Sequence, residues 1–290
     1  MFRKADEKRI EELSQKIRHY NHQYYTYDKS LISDFEFDKL LQELISLETQ
    51  YPEFKKENSP SQRVGGTVNK NFESVKHKYP MLSLGNSYDK QDLIDFDERI
   101  IKLLDNENET FEYICELKFD GVALSVNYQN GILKQALTRG DGVKGDEITA
   151  NAKTIRSLPL SLQNAENAPQ DFEIRGEVIL TQEQFDKLNQ EVIAENILRK
   201  KEGKKELTLY ANPRNKASGT LKMQDSSVVA KHKLSIFVYD MYASTMPFKS
   251  HDEALQNLAK WGFPISEFYK KCKTIEEVQD YVAKWETERL

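Results

Sequence analysis

The sequence has little cysteine and no long apolar stretch, and both absences narrow the class of protein. Two cysteines, Cys115 and Cys272, among 290 residues are too few for a disulfide framework or a four-cysteine zinc cluster. No apolar run approaches the roughly 20 residues that cross a bilayer, and the polar start Met1 to Glu7 lacks the apolar core of a signal peptide. We therefore expect a cytoplasmic protein without membrane contact.

An excess of positive charge is also absent, because the formal net charge is −5. This balance argues against a protein that coats nucleic acid by bulk charge, although a local basic face stays possible. Candidates for such a face are Lys216, Lys222 and the basic run 199–205, for which a solvated loop is the simpler interpretation. The charged fraction of 31% and the hydrophobic fraction of 38% are typical of a soluble globular protein.

Residues 1–70 read as a small helical domain. Apolar residues at three- and four-residue spacing predict a first helix: Ile10, Leu13, Ile17 and Tyr20. Ser33 and Glu36 match a capping box, which predicts a second helix that ends before Pro52. The segment closes in a loop with Ser59-Pro60 and Gly65-Gly66.

Residues 71–290 combine strands with separately capped helices. The predicted strands are 111–118, 122–128, 132–138, 172–180 and 234–240. Asn130-Gly131 predicts a hairpin between the second and third of these strands. Helices are predicted to begin after Thr181, Ser250 and Thr274, each followed three residues later by Gln or Glu. Hairpins with helices set apart favour an α+β fold over a parallel α/β sheet.

The segment Glu116-Leu117-Lys118-Phe119-Asp120-Gly121 is the main candidate for chemistry. On a strand, Glu116 and Lys118 would share one face. With a pKa of about 10.4, only about one lysine in 2,500 carries a free amine at neutral pH, so a catalytic lysine needs nearby cations or desolvation. The alternative is an exposed lysine in a cross-strand salt bridge.

Two further motifs follow downstream. Arg139-Gly140-Asp141-Gly142 comes directly after a strand, where glycines allow close approach of a phosphate and Arg139 offers a fork of donors. It could equally be an ordinary turn. Glu173, Arg175 and Glu177 alternate along one strand face, which could be solvated, while Glu177 could bind a ribose hydroxyl or a divalent ion.

These motifs, in this order, resemble the covalent nucleotidyltransferases: DNA ligases, RNA ligases and mRNA capping enzymes. Further sequence motifs, spread over almost the whole chain, resemble those of the bacterial NAD-dependent DNA ligases. These motifs are Tyr24-Tyr25, Ser33-Asp34-Phe35-Glu36-Phe37-Asp38, Ser59-Pro60-Ser61-Gln62-Arg63-Val64-Gly65-Gly66, Met81-Leu82-Ser83-Leu84-Gly85-Asn86 and Asn212-Pro213-Arg214-Asn215.

The resemblance implies a role for each matching position. Lys118 would attack the α-phosphorus of NAD, Asp120 would orient the lysine or a metal-bound phosphate, and the adenosine pocket would include Ser83, Leu84 and Glu116. Arg139 and Glu177 would bind the phosphate and ribose side. The nicotinamide mononucleotide (NMN) half would be bound by residues in the N-terminal domain: Tyr24, Tyr25, Asp34, Phe35, Glu36, Phe37 and Asp38. Arg214 and Lys222 would contact DNA.

The resemblance also sets the expected partners. These are NAD as substrate, Mg²⁺ or Mn²⁺ held largely through phosphates, and nicked double-stranded DNA bound by a monomer. Family members continue with an Asp-Gly-Val-Val-Ile-Lys strand, an oligonucleotide-binding fold, a zinc module and helix-hairpin-helix units. None of these occurs within residues 1–290. We therefore expect a truncated nucleotidyltransferase domain, with zinc only in the missing part.

Two positions depart from the family pattern. Phe37 stands where tyrosine is usual, so a hydroxyl group is absent. Lys222 stands where arginine is common, so a guanidinium that could bind a phosphate through two hydrogen bonds is absent.

Two other interpretations of the sequence stay open. One is an ATP- or GTP-using relative, disfavoured by Asp34 and Asp38 in the helical domain; the other is a catalytically incomplete NAD- or DNA-binding module.

Overall fold

The computed structural model describes residues 2–27, 31–64, 71–104 and 110–288. Two helices, α1 (Phe2–Tyr27) and α2 (Asp34–Gln50), form the N-terminal region, followed by 3₁₀ turns at Pro52–Phe54 and Pro60–Val64. The predicted apolar stripe is confirmed, since α1 and α2 enclose a small core of Ile10, Leu13, Ile17 and Leu44. The capping box is confirmed as well, because the Ser33 hydroxyl accepts from the Glu36 N–H and the Glu36 side chain accepts from Ser33.

The remaining elements alternate short strands with helices. They are β1 (Ser74–Lys76), α3 (Lys90–Leu104), β2 (Tyr113–Cys115), β3 (Val122–Gln129), β4 (Ile132–Thr138), β5 (Lys144–Asp146), α4 (Thr149–Ala152), β6 (Asp171–Ile179), α5 (Gln182–Lys201), α6 (Pro213–Leu221), α7 (Ser226–Lys231), β7 (Ser235–Ala243), α8 (His251–Lys260), β8 (Lys270–Cys272) and α9 (Ile275–Glu288). The pairings between these strands are antiparallel, which confirms the α+β class.

A four-stranded sheet in the order β4-β3-β6-β7 forms the centre of this region. The β3–β4 hairpin turns at Asn130 and Gly131, whose φ angles of 51° and 72° suit a two-residue hairpin turn. Alternate strand residues such as Leu124, Val126 and Ile174 are fully buried. They pack in one core with residues at the end of α8, including Leu258 and Trp261. The sheet is therefore the rigid platform on which the predicted site residues sit.

Two small two-stranded sheets, β1–β5 and β2–β8, flank this platform. The strand predicted at 111–118 is wrong in length, because β2 ends at Cys115. Its partner β8 pairs Tyr113 with Cys272 and Cys115 with Lys270, and its own strand begins at Lys270. Without a partner beyond that point, residues 116–119 leave the ladder and run as an irregular segment into β3.

Polar contacts join the N-terminal region to the sheet region. The Arg63 guanidinium donates from Nη1 to the Ile155 carbonyl at 2.5 Å and from Nη2 to the Leu158 carbonyl at 2.7 Å. Lys134 Nζ on β4 lies 2.6 Å from Glu57 Oε2. None of the described helices combines the length and the apolar character that crossing a bilayer requires.

Candidate active site

Lys118 lies on the irregular segment between β2 and β3, and its side chain is exposed. The chain is held close to β6 just beyond it, because the Gly121 N–H donates to Glu177 Oε1 at 3.2 Å. A Cβ at position 121 would lie 2.2 Å from the Val178 carbonyl oxygen. Glycine is therefore required there, and its close approach to β6 fixes where the Lys118 segment ends.

Glu177 lies at the centre of a charged cluster. Burial raises the pKa of its carboxyl group, while the Gly121 N–H and the positive charges of Lys118 and Arg214 act to lower that pKa, and Asp120 acts to raise it. Glu177 pairs with Ala123 across the sheet, directly after the Lys118 segment. The sheet thus brings four of the predicted residues, Lys118, Asp120, Glu177 and Arg214, within electrostatic range of one another.

Asp120 is paired with an arginine from a different element. Arg214 Nη1 lies 2.6 Å from Asp120 Oδ1, and both side chains are more than half exposed. Arg214 is positioned by α6, whose cap is the Asn212 side chain accepting from the Asn215 N–H. An exposed ion pair of this kind contributes little to the stability of the fold. Its main effect is to fix the positions of the two charged groups.

Glu116 is held by a histidine that the sequence did not single out. His251 Nε2, in the first turn of α8, lies 2.9 Å from Glu116 Oε2. This hydrogen bond raises the pKa of His251, assisted by the charges of Glu116, Asp240 and Asp252 and opposed by burial. Because His251 is 135 residues from Glu116, no local pattern in the sequence could have predicted the contact.

Ser83 and Arg139, both predicted to bind the nucleotide, are in direct contact. Arg139 Nη2 donates to Ser83 Oγ at 2.7 Å, and the Met81 N–H donates to the Gly142 carbonyl at 2.8 Å. Leu84, which follows Ser83, is exposed. The glycine-containing loop at 139–142 and the segment 81–84 are therefore in contact and form one surface next to the sheet.

The Gly-Asp-Gly motif is also a turn. Gly140 and Gly142 have φ angles of 55° and 91°, which favour glycine. Asp141 Oδ1 accepts from the N–H groups of Lys144 and Val143, and these bonds lower the pKa of Asp141. Asp141 therefore shapes the turn, while Arg139 at its start projects toward Ser83.

The charged face of β6 is not a solvated surface. Glu173 and Arg175 are 3% and 5% exposed, and Arg175 Nη2 lies 3.2 Å from Glu173 Oε1. Arg175 also donates to the carbonyls of Tyr79 and Pro80, and its guanidinium lies 4.2 Å from the Tyr242 ring centroid. The pair anchors the 79–84 segment to the sheet, a role that the sequence did not predict.

Tyr239 on β7 is a further site residue missed by sequence reasoning. The β6–β7 register shifts between Arg175, paired with Asp240, and Gly176, paired with Val238, so Tyr239 is the extra residue of a bulge. Burial raises the pKa of Tyr239 to about 12, and among the nearby charges Glu177 raises it while Arg175 and Arg139 lower it. Its hydroxyl therefore lies within electrostatic range of Glu177 and Arg139.

The lysines proposed as a basic face differ in their surroundings. Lys222 is exposed, but its Nζ lies 2.8 Å from Asp146 Oδ2 on β5. Lys216, the other candidate for a local basic face, is buried, with Nζ 3.9 Å from the Tyr210 ring centroid, so it does not contribute to an exposed basic face. The basic run 199–205 covers the end of α5 and the turn after it.

The predicted NMN residues are described only in part. The side chains of Tyr24, Tyr25 and Asp34 fall outside the described residues. Phe35 and Asp38 are exposed, and Glu36 is engaged in the capping box. Phe37 packs on the small core of α1 and α2. Among the side chains the structure describes here, Phe35 to Asp38 make no hydrogen bond or ion pair with the Lys118 segment.

A basic cavity of about 300 Å³ lies on the seam between α1 and the segment 156–163. Its lining includes Arg18, His19, Arg63 and Arg156, and no carboxylate side chain is found among the described residues that line it. The Arg156 guanidinium also lies 5.6 Å from the Phe37 ring centroid. Lys118 does not line this cavity, so the lysine segment and the cavity are separate features of the surface.

Among the residues described, no three histidine, cysteine, aspartate or glutamate side chains converge on one point to form a metal cage.

The geometry has the components of lysine-based nucleotidyl transfer: an exposed amine, flanking carboxylates and an arginine on a glycine loop. Residues 69–290 match the family described as NAD-dependent DNA ligase adenylation domain, and residues 3–65 match DNA ligase-like, N-terminal NAD+-binding domain. The fold and these matches define the chain as an adenylation module of the nucleotidyltransferase class. The chain belongs to the NAD-dependent DNA ligase family.

Curated relatives agree with this assignment. The chain is 50% identical over 282 residues to a DNA ligase of Cytophaga hutchinsonii, covering 97% of this chain and 40% of the relative. It is 48% identical over 281 residues to a DNA ligase of Bacteroides fragilis, with 97% and 40% covered. The chain thus spans about 40% of the length of the curated relatives it matches.

Proposed function

We propose that Lys118 is the residue of an NAD-dependent DNA ligase that becomes covalently attached to AMP. The observation that carries this proposal is the position of the exposed Lys118 amine beside Asp120, Arg214 and the partly buried Glu177. The amine loses a proton and forms a bond to the α-phosphorus of NAD, while the bond from phosphorus to the NMN phosphate breaks and NMN leaves. AMP then moves to a 5′-phosphate at a nick in double-stranded DNA, and the adjacent 3′-hydroxyl displaces it.

The roles of the surrounding residues follow from their contacts. Arg139 supplies positive charge to phosphate oxygens, and Ser83 holds it from one side. Glu116, held by His251, borders the adenosine with Leu84, and Glu177 takes a ribose hydroxyl. Asp120 orients the lysine and is itself held by Arg214. Catalysis by such a site is chiefly positioning and electrostatic stabilisation.

A divalent ion, Mg²⁺ or Mn²⁺, is part of the proposal. Magnesium usually keeps several waters and takes one or two carboxylates together with substrate phosphates. Asp120 and Glu177 are two carboxylates of suitable type next to Lys118. When bound, the ion neutralises charge on the transferring phosphoryl group.

We assign the NMN half of NAD to the N-terminal region, through Tyr24, Tyr25, Asp34, Phe35 to Phe37 and Asp38. Aromatic faces and carboxylates suit a cationic nicotinamide ring and ribose hydroxyls. We place the boundary between the two domains near residue 70, supported by the separate cores and by family matches that cover 3–65 and 69–290. Arg214 and Lys222 are proposed as DNA contacts of a monomeric, cytoplasmic protein.

The experiment that tests the nucleophile is labelling with NAD radiolabelled in its adenylate half. The full-length protein that contains this chain should gain one AMP, seen as radioactivity and as a mass shift, and Lys118→Ala should abolish both. Lys102→Ala, at an exposed lysine on α3, is the matched control and should label normally. Labelling of the Lys118→Ala variant would reject the proposal.

The same assay separates the two alternatives. Labelling with ATP in place of NAD would identify an ATP-using relative. An isolated 290-residue chain that binds NAD without labelling, beside a full-length protein that labels, would identify the chain as a catalytically incomplete module.

A further inference from the structure

The two cysteines of the chain, Cys115 and Cys272, face each other beside the Lys118 segment. Their Sγ atoms are 3.8 Å apart, and both thiols are free. Cys115 ends β2 and Cys272 ends β8, on neighbouring antiparallel strands. Cys272 is fully buried, whereas Cys115 is partly exposed. A small reagent can therefore reach Cys115 more readily than Cys272, whose sulfur lies 3.8 Å away.

We propose that Cys115 and Cys272 form a redox modification site, in which an oxidant of the hydroperoxide class joins the two sulfurs and displaces the Lys118 segment. This site lies outside the nucleotide-binding residues and makes no contact with NAD in the proposed reaction. Its chemical part is independent of the proposed function, while its effect on Lys118 rests on that function.

The chemistry balances in two steps. The Cys115 sulfur attacks one oxygen of hydrogen peroxide, the O–O bond breaks, and the products are a sulfenic acid and water. The Cys272 sulfur then attacks the Cys115 sulfur, the S–O bond breaks, and the hydroxyl leaves as a second water with the thiol proton. Two thiols are oxidised and one peroxide is reduced, and a dithiol reductant reverses the change.

The surroundings predict a slow reaction. Leu93, Tyr113, Ile275 and Val278 pack around the sulfurs. Burial, followed by the neighbouring Cys272 sulfur, raises the pKa of the Cys115 thiol to about 12, while Lys270 acts to lower it. Because the thiolate is the reactive form, oxidation should be slow near neutral pH and should accelerate as pH rises.

Formation of the bond must move the backbone. A disulfide requires an S–S distance of about 2.05 Å and a Cα–Cα distance below about 7 Å. Cys115 pairs with Lys270 and Cys272 with Tyr113, so the two cysteines are diagonal neighbours, which are typically about 7–8 Å apart between Cα atoms. Because β2 and β8 are both only three residues long, both strands can adjust, and any movement of β2 is passed on to Glu116 and Lys118, which directly follow it. A displacement of about 1 Å at a reacting group can cost about 100-fold in rate.

The chemical test uses the purified protein, treated with hydrogen peroxide and then alkylated without reductant. Peptide mapping should find the Cys115 and Cys272 peptides joined, with the loss of two hydrogens, and dithiothreitol should separate them. Cys115→Ser and Cys272→Ser should each abolish the linkage, and urea unfolding checks that each variant is folded. Recovery of both cysteines as alkylated thiols, or of Cys115 as a sulfinic acid beside an alkylated Cys272, would overturn the proposal.

The functional arm compares AMP labelling from NAD before and after oxidation. Oxidised wild-type protein should lose labelling by about 10- to 100-fold and regain it with dithiothreitol, whereas the Cys115→Ser variant should be unaffected by the same treatment. Unchanged labelling of disulfide-linked protein would overturn the coupling to Lys118. Absence of labelling before oxidation would instead reject the proposed function, while the peptide map still reports on the sulfurs.

Discussion

The sheet region and the N-terminal helices hold their predicted ligand residues in different ways. Around Lys118, contacts between distant elements fix the side chains, as Gly121 with Glu177 and Ser83 with Arg139 illustrate. On α2, Phe35 and Asp38 are exposed above a core of only a few buried side chains. The comparison suggests that the adenylate half of the site is formed by packing, whereas the NMN half is a surface that a ligand must organise.

The largest expected effect contrasts the ion pairs of the two regions. Arg175→Met would leave the buried Glu173 without its cation, at a cost of about 3–5 kcal/mol in the free energy of unfolding. Arg9→Met is the matched control, because Arg9 and Glu43 form a pair whose side chains are 39% and 42% exposed, worth about 0–1 kcal/mol. Urea unfolding measures both. Equal losses would mean that the two regions do not differ in this way.

A second prediction separates function from stability on α2. Asp38→Ala removes an exposed carboxylate, so the urea midpoint should not change. If Asp38 hydrogen-bonds the NMN half, kcat/KM for NAD in the labelling reaction should fall by roughly 10- to 150-fold, the range for a hydrogen bond to a charged group. Gln42→Ala, also exposed on α2, is the control and should retain activity. A fall for both variants would indicate a general disturbance of the helix.

Phe37→Tyr should increase kcat/KM for NAD, in contrast to the decrease expected for Asp38→Ala. The added hydroxyl restores the group usual in the family at a side chain that is only partly buried and lies under Arg156. One new hydrogen bond is worth about 0.5–1.5 kcal/mol, so kcat/KM for NAD should rise roughly 2- to 10-fold. A decrease would show that the ring packs where a hydroxyl cannot be accommodated.

The smallest expected effect concerns the half-buried pair of His251 and Glu116. The pKa of His251 is raised in the folded chain, so its contribution to stability is fully present below the unfolded pKa of about 6.5 and is lost as pH rises through the folded pKa. The stability difference between wild type and His251→Asn should therefore be largest near about pH 6 and shrink toward about pH 9, staying below about 1 kcal/mol. Urea titrations across this range test the sign. A difference that grows with pH would contradict the assignment.

Local patterns predicted much of the fold, and long-range packing decided the rest. The Asn130-Gly131 turn and the Ser33 and Ser250 caps are encoded by neighbouring residues, so the sequence was sufficient for them. The end of β2 at Cys115 depends on where β8 begins, at Lys270, which is 155 residues further along the chain. The residues at 111–118 alone therefore do not show where the strand stops.

The candidate site shows the same division. Lys118, Asp120 and Glu177 could be singled out from motifs, whereas burial of Glu173 and Arg175 depends on carbonyls at residues 79 and 80, and Tyr239 on a bulge. The alternating charged residues of β6 give the same sequence pattern whether their side chains face water or are covered by another chain segment.

The pairing of Arg214 with Asp120 and of Lys222 with Asp146 has a consequence for any polyanion that reaches this surface. Each cation already has a carboxylate partner, so an incoming phosphate exchanges places with that carboxylate rather than meeting an unbalanced charge. The vacated carboxylate then recruits a cation from the bulk, which offsets part of the counterion release that accompanies phosphate neutralisation. Association through these two residues should accordingly depend less steeply on salt concentration than the number of basic contacts alone would suggest.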